Sequence, residues 1–182
     1  GKSTLLHMLG GLDTPTGGSV MVDGQELSGM GRNELTIFRR RKIGFIFQNY
    51  NLLPNMTIYD NIVLPVELDG RSVDTQYLED IVNALGLGDK LGRKPSGLSG
   101  GQQQRAAIAR ALITKPAIIL ADEPTGNLDS YTSQEVIGLL QAAGRKFHQT
   151  LVMITHNDEI AQVADRTVRI EDGRIAESRW QS

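Results

Sequence analysis

Two adjacent carboxylates, Asp122 and Glu123, follow an apolar run at residues 118–121. Such a run is typical of a buried strand, and ligands of open parallel sheets bind beyond the carboxyl ends of the strands. Asp122 is therefore placed to hold a phosphate-bound Mg²⁺, and Glu123 is placed to activate an attacking water. Taken alone, the same pattern is more typical of a strand followed by a helix-capping acid, so its meaning depends on the other motifs.

A glycine-bearing motif, LSGGQQQR, occupies residues 98–105. Gly100 and Gly101 leave bare backbone N–H groups at the start of a predicted helix, beside the Ser99 hydroxyl and at the positive end of the helix dipole. These features together predict an anion site. A flexible loop capped by a serine would explain neither the adjacent glycines nor the glutamine run.

The chain opens on GKST, the last half of the phosphate-binding pattern GxxxxGK[ST]. The earlier half of that pattern is a buried strand and a glycine-rich turn. We therefore expect that the chain is truncated within its phosphate-binding loop and that the parent protein is longer. Residues 5–9 are predicted to form the first turns of a buried helix, which Gly10 and Gly11 end.

Apolar periodicity predicts the elements that position these residues. Strands are predicted at residues 43–47, 117–121 and 151–154, and helices at 34–41 (with Asn33 as N-cap), 102–114 and 133–147. Residues 57–87 show helical periodicity, in which Pro65 is expected to kink or end the first helix. Turn signals at residues 23–24 and 172–173 predict two hairpins. This alternation predicts an α/β fold with a mostly parallel sheet flanked by helices.

Composition and charge exclude several classes of protein. A net charge of −2 over 182 residues lacks the footprint of a general nucleic-acid binder, so no nucleic-acid partner is expected. Without cysteine, the chain has no disulfide, zinc knuckle or thiol nucleophile. No apolar run reaches the roughly 18 residues needed to cross a bilayer. The basic run at residues 39–42 is interpreted as the solvated end of a helix.

The motifs occur in a fixed order along the chain. They are GKST at residues 1–4, Gln48 after a strand, LSGGQ at 98–102, an apolar strand with Asp-Glu at 118–123, GNLD at 126–129 and His156 after a strand. This set resembles the ABC ATPase family over essentially the whole chain. The resemblance implies a single domain, residues 1–182, with a P-loop NTPase fold. Its RecA-like ATP-binding core would comprise residues 1–54 and 102–182. An inserted α-helical subdomain would span about residues 55–101, beside remnants of an antiparallel β subdomain.

The resemblance implies ATP and Mg²⁺ as cofactors. The implied ATP-binding residues at the start of the chain are Gly1, Lys2, Ser3 and Thr4. Ser3, Gln48 and Asp122 are the implied Mg²⁺ ligands. The implied catalytic residues are Glu123 as general base, His156 at the γ-phosphate and Gln48 at the metal or the water.

The resemblance also implies two kinds of protein partner. A second copy would bind head to tail, its ATP contacted by Ser99, Gly100, Gly101 and Gln102, while Asp129 would couple the two sites. Integral-membrane permease subunits would dock on the helical subdomain. The chain would then lie in the cytoplasm, peripheral on the inner face of the cell membrane. The residue that stacks on adenine in this family would lie upstream of Gly1.

Residues 48–68, together with GLSGGQQQR and ADEPTGNLD, are similar to the subfamily of lipoprotein-release, macrolide-efflux and antimicrobial-peptide-export ATPases. The cell-division ATPase of that subfamily is also close. Export or extraction of a peptide, lipoprotein or hydrophobic drug is therefore expected. Two alternatives stay open: a soluble ABC-type ATPase of DNA repair or translation, and a nucleotide-binding fragment that does not hydrolyse ATP.

Overall fold

Helices and strands alternate along the chain, and two short antiparallel hairpins accompany a central parallel sheet. The computed structural model describes residues 1–180. In chain order its elements are α1 (Lys2–Leu9), β1 (Met21–Val22), β2 (Gln25–Glu26), α2 (Arg32–Lys42), β3 (Ile43–Phe47), α3 (Ile58–Leu68), α4 (Thr75–Ala84), α5 (Gly100–Leu112), β4 (Ile118–Asp122), α6 (Ser130–Lys146), β5 (Thr150–Ile154), α7 (Asp158–Ala161), β6 (Arg166–Glu171) and β7 (Arg174–Trp180), with 3₁₀ turns at Gly88–Lys90 and Pro95–Gly97.

The central sheet has the strand order β3-β4-β5, and both pairings are parallel. Its register aligns the last residues of the three strands, because Phe47 lies opposite Asp122 and Asp122 lies opposite Ile154. The segments that follow the strands therefore leave the same edge of the sheet side by side. The predicted α/β fold is confirmed, and the predicted strands agree with the observed ones to within one residue.

Both faces of the sheet are covered by apolar side chains. Helices α1 and α2 cover one face, where Leu6 and Phe38 pack with Leu120 of β4. Helices α3 to α6 cover the other face, against Ile46 and Ile119. A side chain at Gly44 would place its Cβ 2.6 Å from the carbonyl oxygen of Ala111, so glycine is required where β3 meets α5.

The predicted helical stretch forms α3 and α4, but Pro65 does not end α3. The helix continues past the proline to Leu68, whose carbonyl accepts a hydrogen bond from Arg40 of α2 at 2.9 Å. Asn61, also on α3, is fully buried, and its amide bonds both the backbone N–H (2.7 Å) and the carbonyl (3.1 Å) of Leu53. The helix therefore anchors the polar loop before it.

The basic run ends α2 as predicted, but two of its arginines are paired rather than simply solvated. Arg40 and Arg41 contact the Asp69 carboxylate at 3.3 and 2.9 Å, and Arg71 contacts it at 2.6 Å. Hydrogen bonding from Arg41, with Arg71 nearby, lowers the pKa of Asp69. This cluster joins α2 to the end of α3.

Several predicted boundaries are wrong in detail. The N-cap of α2 is Gly31 rather than Asn33, and the Gly31 N–H donates to the Glu34 carboxylate at 3.4 Å. Helix α5 begins at Gly100 rather than Gln102 because Ser99 caps it. Helix α7 was not predicted.

Both predicted hairpins are present, with left-handed turn residues such as Asp23 and Asp172. The predicted ATP-binding core extends to residue 182, and residues 181 and 182 lie outside the described part.

Within residues 1–180, no helix has both the length and the apolar character that crossing a bilayer requires.

Candidate functional site

The site is built where the three parallel strands end. Gln48 follows β3, Glu123 follows β4, and residues 155 and 156 follow β5. Glu123 has a left-handed backbone (φ 47°), which is uncommon for a residue with a side chain. Its N–H donates to the Ile154 carbonyl at 3.0 Å, so the loop after β4 remains attached to the end of β5.

The start of α1 meets the end of β4. The Ser3 hydroxyl donates to Oδ1 of Asp122 at 3.3 Å, joining residues that are 119 positions apart in sequence. Gly1 occupies the N-cap position of α1 without a capping side chain, and the first turn has no acidic residue. Lys2 and Thr4 lie in this same turn. The positive end of the helix dipole could therefore receive an anion without repulsion from a carboxylate in its own first turn.

Glu123 and His156 form a close pair. Nε2 of His156 lies 2.5 Å from Oε1 of Glu123, and the two side chains are 67% and 28% exposed, respectively. The pair lines a cleft of about 550 Å³, whose walls also include Thr125 and Ile137. A carboxylate held in this way by an imidazole is in reach of solvent and can accept a proton from a water molecule.

Gln48 is held by the GNLD loop, residues 126–129, for which the sequence predicted only a role in coupling the two ATP sites of a dimer. Its Nε2 donates to Oδ1 of Asn127 at 3.0 Å, and Nδ2 of Asn127 donates back to the Gln48 carbonyl at 3.0 Å and to Oδ1 of Asn49 at 2.9 Å. Gly126 allows this approach, since a Cβ there would lie 2.6 Å from the Gln48 amide. The loop after β3 is thereby fastened to the loop after β4.

The LSGGQ motif forms the tip of α5. Ser99 is the N-cap: its hydroxyl accepts from the Gln102 N–H at 3.3 Å, and Oε1 of Gln102 accepts from the Ser99 N–H at 3.0 Å. A Cβ on Gly101 would lie 2.5 Å from Cγ2 of Thr132. At Gly100 a Cβ would lie 2.8 Å from the Tyr50 hydroxyl. The tip is thus packed between Tyr50, in the loop after β3, and Thr132, in the first turn of α6, while Ser99 is exposed.

Asp129 caps α6. Its carboxylate accepts from the Thr132 N–H at 3.0 Å and from the Thr132 hydroxyl at 2.6 Å. These hydrogen bonds lower the pKa of Asp129. The carboxylate is exposed and ionised at neutral pH, so it stabilises the helix start while facing outward.

The predicted residues thus fall into two groups. Ser3, Asp122, Glu123, His156 and Gln48 gather at the carboxyl edge of the sheet. Ser99, Gly100, Gly101 and Gln102 form the tip of α5, and Asp129 starts the neighbouring helix. The roles of Asn127, Gln104 and Arg110 were not predicted. They bind backbone carbonyls distant in sequence, which no local pattern reveals.

Comparison with known proteins gives one consistent result. The family described as "ABC transporter" matches residues 1–126. An "uncharacterized ABC transporter ATP-binding protein" of Thermotoga maritima is 51% identical over 96% of this chain and 75% of its own length. The lipoprotein-releasing system ATP-binding protein LolD of Geobacter metallireducens is 48% identical over 96% of this chain and 79% of its own length.

A longer relative and two solved structures agree. The macrolide export ATP-binding/permease protein MacB of Syntrophobacter fumaroxidans is 48% identical over 96% of this chain, which spans 25% of that protein. The bacterial ABC transporter cassette MJ0796, solved as a dimer, matches with a TM-score of 0.86 and 38% identity, over 100% of this chain and 81% of the other. Its dimeric post-hydrolysis state bound to ADP and Pi matches with the same values.

Proposed function

The chain belongs to the ABC transporter family as an ATP-binding, ATP-hydrolysing domain, and from this premise we propose that two copies close head to tail around ATP to drive export through a membrane partner. The observation that carries the proposal is the meeting of Ser3 with Asp122 beside the Glu123–His156 pair. These contacts join a phosphate-binding helix start to a base that can activate water.

The phosphates of ATP would lie at the start of α1. Gly1, Ser3 and Thr4 would present backbone N–H groups to them, and Lys2 would pair with the β- and γ-phosphates. The proposal is supported by the absence of any acidic residue from this first turn. A carboxylate there would repel the phosphate groups.

The residues present fit Mg²⁺, which prefers oxygen ligands and usually shares its shell with substrate phosphates. The Ser3 hydroxyl and the Asp122 carboxylate are 3.3 Å apart and would hold the ion, with Gln48 contributing its amide oxygen. Mg²⁺ would neutralise charge that develops on the phosphates. Within residues 1–180, no cluster of three or more histidine, cysteine and carboxylate side chains is present.

Glu123 would take a proton from the water that attacks the γ-phosphorus, and ADP would leave with the bridging oxygen. His156 would keep Oε1 of Glu123 oriented through its 2.5 Å contact and would lie at the γ-phosphate. Gln48 would orient the water or the metal from the neighbouring strand end. Attachment of the Glu123 N–H to the Ile154 carbonyl keeps the base and the histidine at the same edge of the sheet.

The second group of residues would act on the ATP of the partner copy. Ser99, Gly100, Gly101 and Gln102 form a positively polarised helix tip, in which Ser99 is exposed and would be the first to meet a γ-phosphate. Asp129 would lie at the same interface and couple the two sites. The likeness to a cassette solved as a dimer supports this pairing.

The partner in the membrane would be a permease that docks on the helical subdomain, about residues 55–101, from the cytoplasmic face. The names of the relatives favour a transporter over a soluble ATPase of DNA repair or translation. LolD and MacB carry lipoprotein release and macrolide export in their names, so we infer that the cargo is a lipoprotein, a peptide or a hydrophobic drug.

The proposal is tested by ATP hydrolysis in the full-length protein with Mg²⁺. In the Glu123→Gln variant we expect kcat to fall about 10²–10⁴-fold, because the base is lost, while ATP binding is kept. Glu26→Gln, a change of the same kind on the exposed strand β2, is the matched control and should keep the wild-type rate. Wild-type turnover in Glu123→Gln would refute the role given to Glu123.

A further inference from the structure

One glutamine beyond the LSGGQ motif links both catalytic loops. Gln104 lies on α5 and is completely buried. Its Nε2 donates to the carbonyl of Phe47 at 3.4 Å and to the carbonyl of Pro124 at short range. Phe47 directly precedes Gln48, and Pro124 directly follows Glu123. A single amide group therefore contacts the backbone next to two of the residues that the proposed reaction uses.

The other end of this side chain has no partner. Within residues 1–180, Oε1 of Gln104 is buried without a hydrogen bond. A buried polar atom without a hydrogen bond destabilises the folded state. If Gln104 served only to fill space, an apolar side chain of similar size would therefore give a more stable protein. The two carbonyl contacts explain why an amide occupies this position.

Helix α5 also holds the loop after β3 at a second point. Arg110 donates to the carbonyls of Tyr50 and Asn51 at 2.7 and 2.5 Å. Tyr50 and Asn51 both have left-handed backbones (φ 58° and 51°). This conformation is uncommon for residues other than glycine, and the contacts from Arg110 help to hold it. With Asn127 on its other side, the loop that carries Gln48 is fixed between α5 and the loop after β4.

We infer that Gln104 is a positioning residue. It fixes Gln48 and Glu123 relative to each other, and it couples the positions of both residues to the position of α5. The inference rests on the proposed function. Gln104 lies five residues from Ser99, or about 7.5 Å along the helix axis. When the tip of α5 engages the phosphate of a second copy, its position is transmitted through this amide to the two loops. Catalytic groups tolerate displacements of only about 1 Å, so the link affects rate more than binding.

The test compares Gln104→Met with Gln103→Met in the full-length protein. Both changes replace a glutamine on α5 by an apolar side chain of similar length. Gln104→Met removes two bonds from a side chain to the backbone, and Gln103→Met removes one, since Gln103 donates to the Leu98 carbonyl at 3.2 Å. We expect Gln104→Met to lower kcat about tenfold with an unchanged KM for ATP. Gln103→Met should keep both constants. A folded Gln104→Met protein with wild-type kcat would overturn the inference.

A second variant separates positioning from packing. Gln104→Glu is nearly isosteric, but its ionised carboxylate cannot donate to the two carbonyls, whereas the protonated acid can donate to one of them. The rate relative to wild type should therefore recover as the pH falls from about 8 to about 6, because burial raises the pKa of the new carboxyl. A relative rate that stays flat over this range, or a variant that is unfolded at both pH values, would give Gln104 a purely structural role.

The failure of this inference can be told from the failure of the proposed function. If the wild-type protein hydrolyses no ATP with Mg²⁺, the proposed function falls and this inference falls with it. If wild type and Gln104→Met turn over equally while Glu123→Gln does not, the proposed function stands and only the role of Gln104 is lost.

Discussion

The carboxyl edge of the sheet and the helical layer on its far face are built on different principles. At the edge, the side chains are polar and partly exposed, and they pair one to one: Ser3 with Asp122, and His156 with Glu123. Glu123 also has a strained backbone. Interactions of this kind add little to stability and can be rearranged when a ligand arrives.

The layer formed by α3, α4 and α5 is instead closed and apolar. Ile58, Ile62 and Ile81 are fully buried in it. The amide of Asn61, a buried polar side chain, forms hydrogen bonds with the backbone of the preceding loop. Such packing tolerates little change, because every removed methyl leaves a cavity.

The comparison separates the polar edge, which carries the proposed catalytic residues, from the apolar layer, which carries most of the packing, and α5 belongs to both. Its apolar face lies in the helical layer, where Ile108 and Leu112 are fully buried. Its tip bears Ser99, and Gln104 contacts the loops at the edge of the sheet. Substitutions in the two regions should therefore alter different measured quantities, and α5 is where the separation is tested.

The largest expected effect is in the helical layer. Ile62→Ala should lower the free energy of unfolding by about 2–5 kcal/mol, because it leaves a cavity among fully buried neighbours. Urea titration of the full-length protein measures this loss. The kcat and KM of the fraction that stays folded should not change, which is the reverse of the result expected for Glu123→Gln.

Ile37→Ala is the matched control, since Ile37 lies on α2 with 43% of its surface exposed. It should change the free energy of unfolding by much less than Ile62→Ala. A lower kcat in Ile62→Ala with an unchanged urea midpoint would break the separation between the two regions.

The sequence predicted the edge of the sheet well because its strands are short, continuous apolar runs. Residues 43–47 match β3 at both ends, and β4 and β5 differ by a single residue. Helix α7 has only four residues, too few for a periodic pattern, and it was missed. Pro65 was expected to kink or end α3, and it does not end the helix, which continues to Leu68. Beyond the proline, Arg40 donates to the Leu68 carbonyl, a contact between distant parts of the chain that no local pattern predicts.

The candidate site was predicted by residue type but not by contact. The ordered motifs named Ser3, Asp122, Glu123 and His156, and the structure brings them together in two pairs. The contacts of Asn127 with Gln48, and of Gln104 with Pro124, depend on backbone carbonyls that only the folded chain brings near. No local spacing encodes such contacts.

An intermediate effect is expected at the tip of α5, where two roles of Ser99 can be separated. Ser99→Ala removes the N-cap and should cost about 0.5–2 kcal/mol of unfolding free energy. Ser99→Asp keeps a good cap but places a negative charge where the partner's phosphate is proposed to bind. Its stability should match wild type while turnover falls at least about tenfold, since like charges at short range repel strongly.

Thermal unfolding and ATP turnover of both variants provide the measurement. Asp129→Asn is a useful companion, because it keeps the cap of α6 while removing a charge. Equal turnover in Ser99→Asp and wild type would show that the tip does not meet phosphate, and α5 would then belong to the stable layer alone.

The smallest expected effect concerns the ion pair between the start of α4 and the segment that follows α5. Asp74 caps α4 and contacts Lys115 at 2.8 Å, and hydrogen bonding from Lys115 lowers the pKa of Asp74. A lowered carboxyl pKa stabilises the folded state above the pKa of the unfolded chain, which is about 3.9, and that stabilisation is lost as the pH falls through the folded value. Both side chains are about half exposed, so the contribution is small.

Asp74→Asn keeps the cap but removes the charge, so wild type should melt slightly higher than the variant at neutral pH, and the two should converge in acid. Lys115→Met removes the same pair from the other side and should give the same convergence. The double variant should add little to either single change, since both remove one interaction. A difference between wild type and Asp74→Asn that grows as the pH falls would show that the carboxylate is destabilising here, and the ion pair would no longer count among the contacts that hold the helical layer together.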